Sequence, residues 1–176
     1  MTALARPLAL AAILGRAPPL AAAQGGAGTV TGTFGLDDAR WVVAGAEAPQ
    51  PSRWRETSAG EEIRMVATPE AGGEIGQGTL VITLTAEAGA TEASLASARI
   101  EYRGEGRELI AEGENVDVTL TAFEPQESDV AVAGSFAAML TPGGASGLVL
   151  EAEAGQTIDG NFQATIPRAE EGAEAG

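Results

Sequence analysis

Val132-Ala-Gly-Ser-Phe-Ala-Ala-Met-Leu140 recurs almost position for position as Ile158-Asp-Gly-Asn-Phe-Gln-Ala-Thr-Ile166. Both stretches read aliphatic-x-Gly-x-Phe-x-Ala-x-aliphatic. Strand side chains alternate between faces, so Val132, Gly134, Phe136, Ala138 and Leu140 share one side, as do Ile158, Gly160, Phe162, Ala164 and Ile166. Each copy is therefore expected to be a strand with one apolar face. A looser third copy, Val30-Thr-Gly-Thr-Phe-Gly-Leu36, has Leu36 where the others have alanine, so related strands frame the fold near both ends. Glycine weakens a strand interior, and a phenylalanine from the adjacent strand lying over it is one device that gives the position a use. Pairwise Gly-over-Phe packing is the expectation; against it stands the rate at which a chain with 24 glycines produces G-x-F by chance.

The same alternation is legible outward from these strands. Ile63, Met65 and Ala67 oppose Glu62, Arg64 and Val66. Leu80, Ile82 and Leu84 point inward, with Val81, Thr83 and Thr85 outward, and Val116, Val118, Leu120 and Ala122 form another inward set. Shorter strands are expected over 29–34, 40–43, 97–102 and 108–111, and one more over 147–152 with Leu148 and Leu150 inward. Turns are expected at Asp37-Asp38, at Arg103-Gly-Glu-Gly-Arg107 with Gly104 and Gly106 at positive φ, at 124–128, at Pro142-Gly-Gly144 and at Ala154-Gly155. The run 45–60, with Pro49 and Pro51, is expected to be the longest connection; 69–78 is a glycine-rich loop, and 86–97 a loop with one helical turn. About ten short, mostly antiparallel strands with no helical stripe describe an all-β protein, a single β-sandwich or small barrel-like sandwich. Its core is expected to contain Leu80, Ile82, Leu84, Val118, Leu120, Phe136, Leu148, Leu150 and Phe162, with Trp41 at the core edge.

The first 23 residues read as a signal peptide. Arg6 precedes the apolar run Leu8-Ala-Leu-Ala-Ala-Ile-Leu14, and Ala21-Ala-Ala23 supplies the small-x-small cleavage pattern. Arg16 and Pro18-Pro19 keep the apolar run short, well below what spans a bilayer. Residues 24–28 are then a flexible lead-in, 29–167 one domain, and 168–176 an acidic disordered tail with nothing apolar to bury. Cysteine is absent, so neither a lipid-bearing cysteine nor a disulfide is available and stability rests on the core. The formal charge of −15 becomes −17 once Arg6 and Arg16 are removed with the signal. Such a surface repels nucleic acid and anionic lipid, so neither nucleic-acid binding nor membrane insertion is expected. The sparse aromatics, 4% of residues, also argue against an outer-membrane barrel.

The chain has no His, Cys or Lys and a single Tyr. Imidazole bases, thiol nucleophiles, Schiff-base lysines and N- or S-ligated zinc sites are thereby excluded. Carboxylate chemistry remains, as a glycosidase pair or a surface Ca²⁺ site. Glu112, Glu114 and Asp117 cluster around Asn115, and Asp37-Asp38 share a turn, but no EF-hand spacing occurs, and acid clusters in so acidic a chain are ordinarily solvated surface. No catalytic, cofactor or metal residue is assigned. Arg53-Trp54-Arg55 is the one place where cations flank an aromatic. An exposed tryptophan there would contact an anionic protein or glycan; alternatively, Trp54 covers an open end of the sandwich while its neighbours pair with the chain's own acids. The functional expectation is an exported, non-catalytic binding or structural module of the bacterial cell envelope, periplasmic or secreted, with a protein or glycan partner. The alternative is a carboxylate-dependent enzyme such as a glycoside hydrolase.

Val30-Thr-Gly32 followed by Trp41, Gly134-Ser-Phe-Ala-Ala138 and the closing Gly160-Asn-Phe-Gln-Ala-Thr-Ile-Pro-Arg168 together resemble secreted bacterial β-rich domains of uncharacterised function. The likeness is loose, spans most of the chain after residue 23, and rests on short strand motifs. It implies export and an all-β fold, and carries over no functional residue.

Overall fold

The computed structural model describes residues 26–70, 78–86, 94–104, 106–143 and 155–169. Ten strands occupy most of them: β1 (Gly26–Phe34), β2 (Asp37–Ala44), β3 (Arg53–Thr57), β4 (Gly60–Pro69), β5 (Thr79–Ala86), β6 (Leu95–Gly104), β7 (Arg107–Glu112), β8 (Val116–Pro125), β9 (Asp129–Pro142) and β10 (Gln156–Pro167). Every strand pair is antiparallel, and the order β10-β1-β2-β4-β5-β6-β7-β9 returns to β10 through a β9–β10 ladder. The all-β, barrel-like expectation holds. Closure gives backbone donors and acceptors partners that an open sheet would leave at its edges.

Two long strands make the corners. β4 offers one edge to two partners, pairing with β2 at Ala67, Thr68 and Pro69 and with β3 from Gly60 to Arg64. β9 does the same for β7, at Thr141 and Pro142, and for β8, from Val130 to Ala138. β3 and β8 are thus appended to an eight-stranded ring. The end of β10 is laid beside β3, with Arg168 in a parallel bridge to Trp54 and the Ala169 amide donating to the Trp54 carbonyl at 2.8 Å.

The interior is filled with side chains. Trp41, Ile63, Met65, Leu80, Ile82, Leu84, Ile100, Leu140 and Ile166 have no solvent exposure, and Tyr102, Leu109, Val132, Phe136 and Phe162 are nearly as deep. Trp41 donates its indole N–H to the Gly78 carbonyl at 3.1 Å, which satisfies the only polar atom of that side chain.

The β9–β10 register places Gly134 opposite Phe162 and Gly160 opposite Phe136. The two glycines serve different neighbours. A Cβ on Gly134 would lie 2.7 Å from Phe162 Cζ and against the Thr119 carbonyl, so this glycine is covered by a phenylalanine as expected. A Cβ on Gly160 would instead meet the Thr31 carbonyl and, at 3.0 Å, the Gly32 Cα. Gly160 therefore makes room for the backbone of β1, not for a ring. In the third copy Phe34 packs on Tyr102, with ring centroids 4.4 Å apart, while Leu36 leaves the strand and is fully exposed.

Several expectations are corrected by register and local geometry. The β1–β2 turn is Gly35-Leu36, with Gly35 at φ 68°, and Asp37 already opens β2. Of Gly104 and Gly106, only Gly106 has positive φ, at 73°. The long connection over 45–60 contains β3, which exposes Arg53 and Arg55 and buries Trp54 between them despite the prolines before it. Gly26 to Gly28 already belong to β1 instead of a lead-in. Val118 and Leu120 are only half-buried, since β8 is appended to the ring; a register shift between Leu120 and Ala122 turns Phe123, not Ala122, toward the core-facing partner Val132. Val66 and Val81 occupy the outward face as expected, yet both are buried: Val66 is bonded through its backbone to Ser52 of the 45–52 connection, and Val81 stands opposite Val66 on β5. The segments 1–23, 71–77, 87–93, 147–152 and 170–176, with the signal, Leu148, Leu150 and acidic-tail expectations, lie outside the described residues.

Candidate functional site

Arg53, Trp54 and Arg55 sit on one strand, so alternation sends the tryptophan inward and both arginines outward. Trp54 is 2% exposed and packs in the core. The Arg168 guanidinium lies 5.0 Å from its ring centroid and is held by Glu56 at 2.8 Å, a cation–π lid made by the chain itself. The geometry follows the second of the two sequence readings in part: Trp54 is turned into the core, but only one of its flanking arginines is ion-paired among the described residues, and what the triad offers to solvent is Arg53 and Arg55. Arg55 pairs with Glu62 at 2.9 Å.

Cross-strand register extends this face across half the barrel. Arg53 stands opposite Arg64, Arg64 opposite Thr83, Thr83 opposite Arg99, and Arg99 opposite Glu112, one outward row running over β3, β4, β5, β6 and β7. Arg99 reaches Glu112 at 2.6 Å and Glu101 at 2.8 Å, and Arg103 reaches Glu101 at 2.7 Å and Glu108 at 2.9 Å. The hydrogen bond that Arg99 donates to Glu101 is the main cause that lifts the Arg99 pKa above its ordinary value, outweighing burial. Five of the chain's ten arginines (Arg53, Arg55, Arg64, Arg99 and Arg103) thus gather on one face of a protein with net charge −15. Beside the row, an open groove of about 710 Å³ is lined by Glu62, Thr83, Thr85, Ser97, Arg99 and Glu112, with the 3-10 turn Gly113–Asn115 at its rim.

Arg53 and Arg64 differ from the rest of the row. Among the described residues neither has a carboxylate within ion-pair distance, although they face each other directly. Arg64 is half-buried, and its pKa is lowered by that burial first and by the Arg53 charge second, with Arg103 adding to the repulsion against the opposing pull of Glu101 and Glu62. Like charges directly opposite on a sheet destabilise the pairing. Sequence reasoning placed Arg64 on an outward face but did not single it out, because only register shows which residue stands opposite Arg53.

A second polar cluster lies where β3 and β4 meet the end of β10. Glu61 stands opposite Glu56, on the same side of the strands as Ile63 and Trp54. Glu61 Oε2 and Trp54 Nε1 are buried and have no hydrogen-bond partner among the described residues. Burial, and secondarily Glu56, raises the Glu61 pKa above its usual 4.5, against the opposing pull of Arg168. The folded chain therefore binds this proton more tightly than the unfolded chain. No penalty is felt below the unfolded-state pKa, and stability is lost as pH rises through the raised value. Glu61→Gln is accordingly expected to unfold at higher denaturant than wild type at pH 7, with the gap closing at about pH 3. A gap of the same size at both pH values would assign the effect to packing instead of charge.

The acids considered for calcium are dispersed. Glu112 is held by Arg99, Glu114 and Asp117 are exposed on the turn and on β8, and Asp37 and Asp38 open β2. Among the described residues no group of three or more acids is placed to hold a metal ion. No described helix is long and apolar enough to cross a membrane. No protein-family model, no curated protein and no solved structure matches the chain.

Proposed function

We propose that this protein is an exported, non-catalytic binding or structural module of the bacterial cell envelope, and that it meets its partner, a protein or a glycan, through the outward face of β3–β7. The observation that carries this reading is the gathering of Arg53, Arg55, Arg64, Arg99 and Arg103 on that face, next to an open groove, in a chain whose remaining surface is strongly acidic. Three of these arginines are paired with glutamates of the same face, and the charge left on Arg53 and Arg64 within an otherwise acidic surface orients a partner before contact and favours one docking mode. Support for export comes from the arginine-bearing start, the apolar run and the Ala21-Ala-Ala23 pattern. The test is photo-crosslinking in intact cells from position 53 and, for comparison, from exposed Gln163 on β10. A discrete adduct from position 53 and none from 163 is expected; adducts from 163 alone would move the contact to the other face.

A carboxylate-dependent enzyme has one observation in its favour, the facing Glu56 and Glu61 with the raised Glu61 pKa. General-acid chemistry needs such a proton, but Glu56 is tied to Arg168 and the adjacent Trp54 ring lies beneath that guanidinium. Hydrolysis of an envelope glycan by wild type, lost in Glu61→Gln, would establish this reading over the first.

A further inference from the structure

The facing guanidinium groups of Arg53 and Arg64 form a like-charge pair that no carboxylate among the described residues approaches within ion-pair distance, and we infer that they form a binding site for one tetrahedral dianion, a phosphate monoester carried on an otherwise uncharged ligand. The inference rests on the proposed binding face and names the chemistry recognised there.

Three features lead to it. Register places the two residues directly opposite on β3 and β4, and their neighbours Trp54 and Ile63 point into the core, so both guanidinium groups emerge on the same outer side. The other arginines of this face are committed: Arg55 to Glu62, Arg99 to Glu101 and Glu112, Arg103 to Glu101 and Glu108. In a chain with 25 acids and ten cations, two adjacent guanidinium groups without an ion-paired acid among the described residues run against the overall balance of charge. Arg64 is also half-buried, which strips part of its hydration and strengthens its interaction with an anion that replaces the water. Thr83, opposite Arg64 on the far side, adds a hydroxyl within the same row.

Charge and geometry narrow the ligand. Two planar guanidinium forks offer paired donors matched to a tetrahedral oxyanion, and two positive charges match a dianion better than a single carboxylate. A polyanion is disfavoured, because beyond roughly 10 Å, the screening length at moderate salt, it would meet the acidic remainder of the surface. A lone phosphate monoester on a sugar or similar neutral body fits both conditions, whereas a sulfate ester carries a single charge and meets only the second.

The test is titration of the full mature chain with inorganic phosphate, inorganic sulfate, a hexose phosphate and acetate at constant ionic strength, following the Arg Nε–Hε resonances. Saturable shifts at Arg53 and Arg64 are expected with the three dianions, with acetate at least about tenfold weaker. Arg53→Gln, at an exposed position where folding is not at stake, should weaken phosphate binding about tenfold or more, and Arg64→Gln likewise, while Arg40→Gln, whose partner is Glu70, should not. In anion-free buffer Arg53→Gln should also melt higher than wild type, because it removes the repulsion. Tighter binding by the hexose phosphate than by inorganic phosphate identifies an ester ligand; equal binding identifies the free ion. Shifts that do not saturate, or equal phosphate affinity in wild type and Arg53→Gln, would overturn the site. Crosslinking from position 53 with no phosphate binding would leave the binding face standing and remove this inference alone.

Discussion

Phe162→Ala is expected to lower the unfolding free energy by about 3–5 kcal/mol, the range for emptying a buried phenylalanine site. The ring is 2% exposed, lies against Gly134, and contacts Phe136 with centroids 6.4 Å apart. Its loss opens a cavity whose floor is glycine backbone, and the tight β9–β10 ladder on either side leaves little freedom to collapse into it. Phe136→Ala should cost a similar amount, since that ring is also buried. Chemical denaturation of the purified variants measures both. A cost below about 1 kcal/mol for Phe162→Ala would show that the Gly134–Phe162 contact does not hold the two strands together.

Trp54→Ala is expected to cost about 3–5 kcal/mol as well, and for that reason it is a poor probe of partner binding. The indole is buried where β3, β4 and the last residues of β10 meet, and Arg168 rests on it. Removing it deprives Arg168 of its support and exposes neighbouring core residues such as Ile63. The loss should be partly cooperative with Arg168→Ala, which a double-mutant cycle would read as a non-additive term of about 0.5–1 kcal/mol, the size of a cation–π contact with some solvent access. A tryptophan serving as an exposed platform would instead unfold within about 0.5 kcal/mol of wild type when truncated. Arg53→Gln is the cleaner probe of recognition, because its side chain is exposed and carries no core contact.

How much of this was legible beforehand differs by element. Thr79 to Ala86 and Asp129 to Pro142 could be read as strands because their apolar residues recur with period two, and period depends only on the order of residues along the chain. β3 was hidden because five residues with two outward arginines carry too little periodicity to stand out behind two prolines. The sequence favoured a covered Trp54 but could not establish it, since a single alternation fits either face until a partner strand defines the core.

Composition and alternation thus determined the all-β class, most strand positions, the absence of thiol and imidazole chemistry, and a strongly acidic surface. These are properties of residues counted or taken in order. Tertiary structure alone decided which residues oppose each other: Gly134 beneath Phe162 but Gly160 against Gly32, Glu61 against Glu56, and Arg53 against Arg64. Such pairings depend on the register of strands that closure of the ring and the shared edges of β4 and β9 impose, and a shift of one residue would turn each of these side chains to the opposite face.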